Sequence, residues 1–215
     1  MQARELVDGL IMYIGLVVLL TFHEFGHAWM AWKSGDDTAK LQGRVSLNPL
    51  VHIDLIGTVI LPLLMIFVPA SRFLVGWAKP VPVNPGNLRN PKLDDILVTL
   101  AGPMMNLFLA VILVGFARVG LLAHVNSAAF ECWRMAKLSL ILFFFNLIPI
   151  PPLDGSQIVR VLIGMSYATY LQIARYGFLL LILVLQVQFI RDYLDSATAK
   201  SQVIIAGWFG FPMDF

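Results

Sequence analysis

The sequence predicts an all-α polytopic membrane protein, and three observations support this fold class. Of its 215 residues, 59% are hydrophobic and 13% are charged, whereas about a quarter of the residues of an average soluble domain carry charge. The mean hydropathy is +0.80. The apolar residues also form separate runs close to the length of about 20 residues that a membrane-spanning helix needs. The chain therefore has room for about five to six transmembrane or half-spanning helices, and for little else.

We predict a single membrane-embedded domain over residues 1–215, with a core at about 7–165 and a last span and tail at 166–215. The sequence shows no internal repeat and no linker. Its formal net charge of +2 comes from scattered lysines and arginines, so the expected surroundings are a lipid bilayer and nucleic acid is not an expected partner. The apolar run after Arg4 resembles a secretory signal, but Glu5 and Asp8 argue against its removal.

The apolar runs place the predicted helices in order along the chain. Gly35 follows the first run and favours a helix stop there. A short loop is predicted at Gly120–Ala129, with His124 at the surface, and a tail of mixed polarity at Arg191–Phe215. The predicted helices are Val7–Trp32, Leu50–Val68, Leu93–Val119, a span that starts at Trp133 and breaks after Asn146, a resumed helix at Ser156–Gly164, and Ala168–Ile190.

Two segments are predicted to be extended. Lys40–Leu47 alternates loosely between apolar and polar residues and ends at Asn48-Pro49, a pattern typical of a short strand or extended segment. Leu74–Pro85 is too rich in proline for a helix, so it is either an edge strand or an extended loop. One interpretation is an interfacial loop, and the other is an edge on which an unwound peptide docks by strand addition.

A histidine and glutamate motif lies near the end of the first run, at His23-Glu24-Phe25-Gly26-His27. Residues four positions apart project from one face of a helix, so the two imidazoles can bind one tetrahedral zinc ion. Zinc lowers the pKa of a water molecule to about 7, and a carboxylate beside it can accept the proton during attack on a carbonyl. The motif therefore predicts a zinc site with Glu24 as base, in preference to histidines that merely fill the core.

The third zinc ligand must be an oxygen or nitrogen donor, because Cys132 is the single cysteine. Soluble zinc proteases with this helix motif commonly use a glutamate well downstream. The glutamates here besides Glu24 are Glu5 and Glu131, and neither is suitably placed.

Three donors remain in apolar surroundings: His52, Asp54 and Asp154. Asp154 follows a helix break inside a span, where a carboxylate is unfavourable unless it is paired or bound to a metal. It is therefore the favoured third ligand. His52 and Asp54 lie at a span end, where a structural or supporting role is slightly favoured, and His52 is the alternative ligand or proton carrier.

Two further segments interrupt apolar helices. Gly102-Pro103 frees backbone groups in the third span, and Asn106 follows on the same helix, where it either ties helices together or holds a carbonyl near the metal. The run from Asn146 to Gly155 contains three prolines and breaks the fourth span. Irregular backbone within a bilayer must be buried in protein or face a wet cavity, so this break is a candidate site.

Three stretches together resemble the ordered signature motifs of the site-2 protease family of intramembrane zinc metalloproteases. They are His23–His27, Ala101-Gly102-Pro103-Met104-Met105-Asn106, and Asn146 through Pro149 to Leu153-Asp154-Gly155. The resemblance covers most of the chain from Leu10 to Gly155. It implies one zinc ion bound by His23, His27 and Asp154, Glu24 as base, and Asn106 and Asn146 as residues that position the substrate or stabilise the oxyanion.

The resemblance also implies a biological role: hydrolysis of peptide bonds in or near transmembrane segments of other membrane proteins. It implies a multi-pass protein of a prokaryotic cell membrane with its active site nearer the cytosolic side. The sequence lacks a PDZ or CBS module, and the metal motif lies on the first span, so a device that filters substrates is expected either to be missing or to be supplied by a separate gating partner. The alternative from another class is a membrane transporter or metal-binding scaffold without proteolytic activity, since broken helices also suit transporters.

Overall fold

The structure is a computed structural model that describes residues 3–67 and 76–211. Within these ranges the regular elements are helices, and no strand is present. The chain divides into two compact units, Met1–Asp94 and Asp95–Phe215, which are described separately. Among the described residues, two helices are long and apolar enough to cross a membrane, Arg4–Lys33 and Pro91–Leu122. The prediction of an all-α membrane protein is confirmed at this level.

The first unit begins with α1, a helix of 31 residues from Ala3 to Lys33. Gly35 follows its last turn, with a φ of +106° in the left-handed region that favours glycine. The Asp36 backbone N–H then donates to the Ala31 carbonyl at 2.9 Å and closes the last turn. The predicted stop at Gly35 is therefore confirmed.

The segment after α1 consists of a short helix and turns. The sequence had predicted a short strand or an extended segment here. Thr38–Leu41 forms the single turn α2, and the Arg44 N–H donates to the Ala39 carbonyl at 2.9 Å. A 3₁₀ turn follows at Pro49–Val51, capped by the Asn48 side chain. The strand predicted within Lys40–Leu47 is wrong, because these backbone groups find partners nearby in the chain and pair with no neighbouring strand.

The predicted span Leu50–Val68 contains a shorter helix. A π-helical turn at Leu55–Ile60 continues directly into α3 at Leu61–Phe67, and Val68 lies outside the described residues. Asp54 caps the start: its Oδ1 accepts from the N–H groups of Ile56 at 3.1 Å and Gly57 at 2.7 Å. This contact gives Asp54 a structural role of the kind that the sequence favoured.

The proline-rich segment is an extended loop over residues 76–84, and Leu74 and Val75 of the predicted segment lie outside the described residues. Trp77 fixes its start, since its N–H donates to the Gly57 carbonyl at 3.1 Å and its carbonyl accepts from Thr58 Oγ1 at 2.7 Å. The Lys79 N–H donates to the His52 carbonyl at 2.8 Å. The loop is thus tied to the π-helical turn and to the turn before it.

Replacing Gly57 with alanine is expected to destabilise this packing. An added Cβ would lie 2.3 Å from the Trp77 indole, and overpacking of this kind typically costs about 1–3 kcal/mol. Thermal unfolding in detergent should show a lower midpoint for Gly57→Ala. The matched control is Gly207→Ala, where an added Cβ meets nothing within 4 Å; an equal shift in both variants would contradict the packing argument.

The second unit contains three long or medium helices that share a core. They are α4 (Pro91–Leu122), α5 (Asn126–Asn146) and α9 (Gln188–Trp208). Small side chains allow these backbones to approach closely. The fully buried residues of this core are Ala110, Val114, Ala117, Ala136 and Leu140, joined by Ile205 and Ala206.

Several boundaries in the second unit differ from the prediction. α4 continues through Pro103 without interruption and ends at Leu122, and α5 already begins at Asn126, so most of the expected loop Gly120–Ala129 is helical. His124 lies in the remaining loop, exposed and with a φ of +58°.

The break after Asn146 is present, and the helix resumes as α6 at Asp154–Leu162. The expected span Ala168–Ile190 is two helices, α7 at Tyr167–Ala174 and α8 at Gly177–Leu185, bent by 57°. The tail of mixed polarity, Arg191–Phe215, belongs over most of its length to α9, a regular helix of 21 residues that no apolar run had indicated. Pro212 and the residues after it lie outside the described part of the chain.

Candidate metal centre

The first unit brings the two motif histidines together on α1. The Nε2 atoms of His23 and His27 lie 3.0 Å apart, and both side chains are buried, with 4% and 8% exposure. Their spacing on one helix produces this pairing, because positions four apart lie one turn above each other. A pair of inward-facing imidazole nitrogens is thus set within a helix long enough to span a membrane.

This nitrogen pair fits a zinc ion in donor type and in spacing. Zinc binds histidine nitrogen at about 2.0–2.1 Å, so two tetrahedral nitrogen ligands lie roughly 3.3 Å apart. The observed Nε2 separation of 3.0 Å is close to that value. A third oxygen or nitrogen donor and an open position would complete a catalytic centre.

Glu24, between the two histidines, is half-buried and held from outside its helix. Its Oε2 accepts a hydrogen bond of 3.1 Å from the backbone N–H of Val81, which lies in the extended loop. This hydrogen bond gives the carboxylate a defined orientation. A free carboxylate oxygen next to a metal is the arrangement that a general base requires.

Arg44 contacts the same loop and is 4% exposed. It donates to the carbonyls of Val51, Lys79 and Pro80, the last at 3.1 Å. Burial lowers the pKa of Arg44, and the nearby Glu24 carboxylate opposes that shift. Arg44 thus fastens the turn before the π-helix to the loop that contacts Glu24.

His52, the alternative ligand, is 2% exposed in the same unit. Its Nε2 lies 2.8 Å from the Ser46 carbonyl, an acceptor, so this nitrogen carries the proton and donates. Burial lowers the pKa of His52, as does the Arg44 charge, while the hydrogen bond to Ser46 and the Glu24 carboxylate act in the opposite direction. A buried imidazole that donates to a backbone carbonyl has a structural role.

Asp36 lies just after the end of α1 and forms a second attachment point for the extended loop and the turn that follows it. This fully buried carboxylate accepts from the Asn84 N–H at 2.7 Å, from Asn87 Nδ2 at 3.0 Å, and from both the N–H and the hydroxyl of Thr38. Burial alone would raise the pKa of Asp36, but these hydrogen bonds together outweigh it and lower that pKa below its ordinary value. No sequence motif marks Asp36 for this role.

We expect Asp36→Asn to lower the free energy of unfolding by about 1–3 kcal/mol, since a buried charged acceptor is lost. Because the folded-state pKa is below 3.8, the carboxylate stabilises the fold above that pH, and its contribution disappears as the pH falls through the folded-state pKa. Denaturant unfolding should therefore show a difference in the free energy of unfolding between Asp36→Asn and the parental protein. This difference should be constant above pH 3.8 and become smaller below it.

The exposed neighbour Asp37 provides the matched control for this measurement, because its side chain makes no cap hydrogen bond. Asp37→Asn should leave the unfolding free energy within about 0.5 kcal/mol of the parental value. Equal effects of the two substitutions would show that the Asp36 network is not the source of the stability.

In the second unit, Asp154 is the first residue of α6 and is half-buried. The rest of α6 is held firmly. Arg160 donates to the buried Asp95 carboxylate of α4 and to Gln157 Oε1. Ser156 Oγ lies 3.0 Å from the Tyr170 hydroxyl. These contacts fix the start of α6 and with it the backbone of Asp154.

The two predicted asparagines also lie in the second unit. Asn106 is completely buried on α4, and its carbonyl accepts from Ser139 Oγ of α5 at 2.6 Å. Asn146 ends α5, and its Nδ2 donates to the Leu142 carbonyl at 2.9 Å. An amide nitrogen carries two hydrogens, so Asn146 keeps one for another acceptor.

Comparison with known proteins identifies the family of this chain. The model of Peptidase family M50 matches residues 11–131 and 122–185, which together form most of the chain. The chain belongs to peptidase family M50, the site-2 protease family. It is a zinc metalloprotease of the intramembrane type, and zinc is its cofactor. The family resemblance noted from the three motifs is confirmed.

Curated relatives of this M50 protease carry zinc metalloprotease names. YwhC of Bacillus subtilis (strain 168) is 39% identical over 181 residues, which are 80% of this chain and 78% of YwhC. Rip2 of Mycolicibacterium smegmatis is 34% identical over 155 residues, which are 66% of this chain and 56% of Rip2. Rip2 of Mycobacterium tuberculosis (H37Rv) is 34% identical over 142 residues, 66% of this chain and 52% of Rip2. No solved structure gives a significant match.

Proposed function

We propose that this M50 protease cleaves transmembrane segments of other membrane proteins at a zinc centre formed by His23, His27 and Asp154. The observation that carries the proposal is the buried Nε2 pair, 3.0 Å apart, within the span Arg4–Lys33. Each of the three residues offers one nitrogen or oxygen ligand atom. Two histidines and a carboxylate form a donor set that zinc enzymes use, with one position left for water or substrate.

The proposed chemistry assigns a step to each of the other site residues. Bound zinc supplies Lewis acidity toward the scissile carbonyl and lowers the pKa of water. Glu24 accepts the proton of the attacking water and then delivers it to the leaving amine. The side-chain amides of Asn106 and Asn146 orient the substrate and donate to the carbonyl oxygen as it becomes negative. One zinc ion per chain suffices for this sequence of steps.

A helical substrate must unwind before it is cleaved, because its carbonyls are engaged in its own hydrogen bonds. The extended loop at residues 76–84 and the irregular backbone after Asn146 offer polar groups that can bind an unwound peptide. We therefore propose that the substrate is held in extended form during cleavage, as strand addition would hold it. The loop residues tied to Glu24 would then guide the peptide toward the base.

The finer topology is also part of the proposal. We propose about five to six transmembrane or half-spanning helices, in a multi-pass protein of a prokaryotic cell membrane. The active site lies nearer the cytosolic side, as the family resemblance implies. We also propose that a separate membrane partner gates access to the active site.

The alternative function is a transporter or a metal-binding scaffold that uses the same residues without hydrolysis. Broken helices such as the pair α7 and α8 are common in transporters. Two features of the sequence count against it: it has no internal repeat, and Glu24 has the position of a base within the motif instead of that of a fourth ligand.

The test uses purified enzyme reconstituted with zinc in lipid vesicles and two substrates. One is a transmembrane peptide, and the other is a soluble protein that carries the same peptide sequence as a linker. Mass spectrometry should detect cuts within the membrane-inserted peptide that disappear when zinc is removed by a chelator and return when it is added back. Zinc binding without any cut in either substrate would favour the scaffold or transporter.

A further inference from the structure

Arg44 makes an unusual set of contacts for a buried cation. Its guanidinium bonds to three backbone carbonyls, those of Val51, Lys79 and Pro80, and it takes part in no ion pair among the described residues. One nitrogen, Nη1, bonds to the turn at Val51, and the other, Nη2, bonds to the extended loop. A planar fork of this kind holds two segments at a fixed distance and angle.

The loop carbonyls that Arg44 holds lie immediately before the amide that contacts the catalytic base. Pro80 O accepts from Arg44 at 3.1 Å, and the next N–H, that of Val81, donates to Glu24 Oε2 at 3.1 Å. Since a peptide unit is rigid and planar, fixing the Pro80 carbonyl also fixes the direction of the Val81 N–H. The orientation of the Glu24 carboxylate therefore depends on Arg44 through a single peptide bond.

We propose that Arg44 is a positioning residue of the hydrolytic reaction, acting on Glu24 through the Pro80–Val81 peptide bond. The expected effect of Arg44 on kcat rests on the proposed function, whereas its expected effect on the Val81 amide rests on geometry alone. Arg44 contacts neither metal nor substrate in this proposal.

Arg44→Lys tests the geometry of the side chain separately from its charge. Lysine keeps the positive charge but lacks the planar pair of donors. In zinc-loaded protein we expect kcat for a transmembrane peptide to fall about 10- to 100-fold, since displacement of a catalytic group by about 1 Å has an effect of that order. KM should change less than kcat, because Arg44→Lys removes no group that contacts the substrate. Zinc content should match the parental protein.

Hydrogen exchange gives a readout that needs no substrate. Pro80 and Pro82 have no backbone N–H, so Val81 carries the one exchangeable backbone amide between Lys79 and Val83. Mass spectrometry of this stretch should show exchange at Val81 that is about tenfold faster in Arg44→Lys than in the parental enzyme. The control is Arg89→Lys, the same change at an exposed arginine of the same unit, which should alter neither exchange nor kcat.

A second variant leaves Arg44 in place and removes the donor itself. Val81→Pro deletes the N–H that bonds to Glu24, and it should lower kcat like Arg44→Lys while zinc is retained. Leu47→Pro is the matched control, because Leu47 is exposed, lies outside the extended loop, and has no recorded hydrogen bond from its N–H.

The inference would be overturned by parental kcat and parental Val81 exchange in Arg44→Lys, or by loss of activity that follows an equal loss of zinc. Equal losses in the control variants would overturn it as well. If the parental enzyme cleaves no substrate, the proposed function fails, while the exchange measurement still decides whether Arg44 orders the Val81 amide.

Discussion

Glu24→Gln is expected to abolish nearly all cleavage while zinc stays bound. The substitution keeps the size of the side chain and an oxygen that can accept from the Val81 N–H, but it removes the basic carboxylate. Loss of a general base typically lowers kcat about 10²- to 10⁴-fold. The measurement combines initial rates on a transmembrane peptide with elemental analysis of zinc in the same preparation.

Glu131→Gln is the matched control for this variant. Glu131 lies on α5, in a partly exposed pair with Arg134 at 2.9 Å, and it belongs to no proposed step. Its replacement should leave both the rate and the zinc content unchanged. A Glu24→Gln protein that cleaves at the parental rate would remove Glu24 from the mechanism.

Asp154→Ala is expected to have the second large effect, the loss of most bound zinc. Two histidines alone hold zinc weakly, because a structural or catalytic site uses at least three protein ligands. Elemental analysis after dialysis should show a fall in zinc per chain of about tenfold or more, and cleavage should fall with it. Adding zinc in large excess should restore part of the activity.

The control for Asp154→Ala is Asp195→Ala, an exposed aspartate of α9 outside the proposed site. Circular dichroism should show equal helix content in both variants, which separates loss of the ligand from loss of the fold. Full zinc occupancy in Asp154→Ala would transfer the third ligand position to His52, the alternative from the sequence.

Local patterns made part of this fold predictable. The apolar run and the glycine after it were sufficient to place α1 and its end at Gly35, because both depend on nearby residues. The pairing of His23 with His27 follows from helix geometry in the same way. The break after Asn146 was predictable because three prolines within four residues, Pro149, Pro151 and Pro152, are incompatible with a helix.

Contacts between distant segments could not be predicted in this way. The bonds from Arg44 to the Lys79 and Pro80 carbonyls span 35 and 36 positions. Every residue has a backbone carbonyl, so the sequence does not indicate which of them a side chain will contact. α9 was missed for a related reason. Its inner side carries polar residues such as Gln202, whose Nε2 donates to the Trp133 carbonyl of α5 at 2.9 Å, so hydrophobicity alone did not reveal the helix.

The central claim is that this zinc protein hydrolyses peptide bonds within transmembrane sequence, and isotope labelling tests it most directly. The zinc-loaded enzyme in vesicles is incubated with a transmembrane peptide in water enriched in ¹⁸O, and the products are analysed by mass spectrometry. The account predicts a new carboxyl terminus inside the membrane-spanning sequence that carries one ¹⁸O atom, and its absence with Glu24→Gln. An intact peptide with fully zinc-loaded parental enzyme, or the same labelled product from Glu24→Gln at the parental rate, would contradict it.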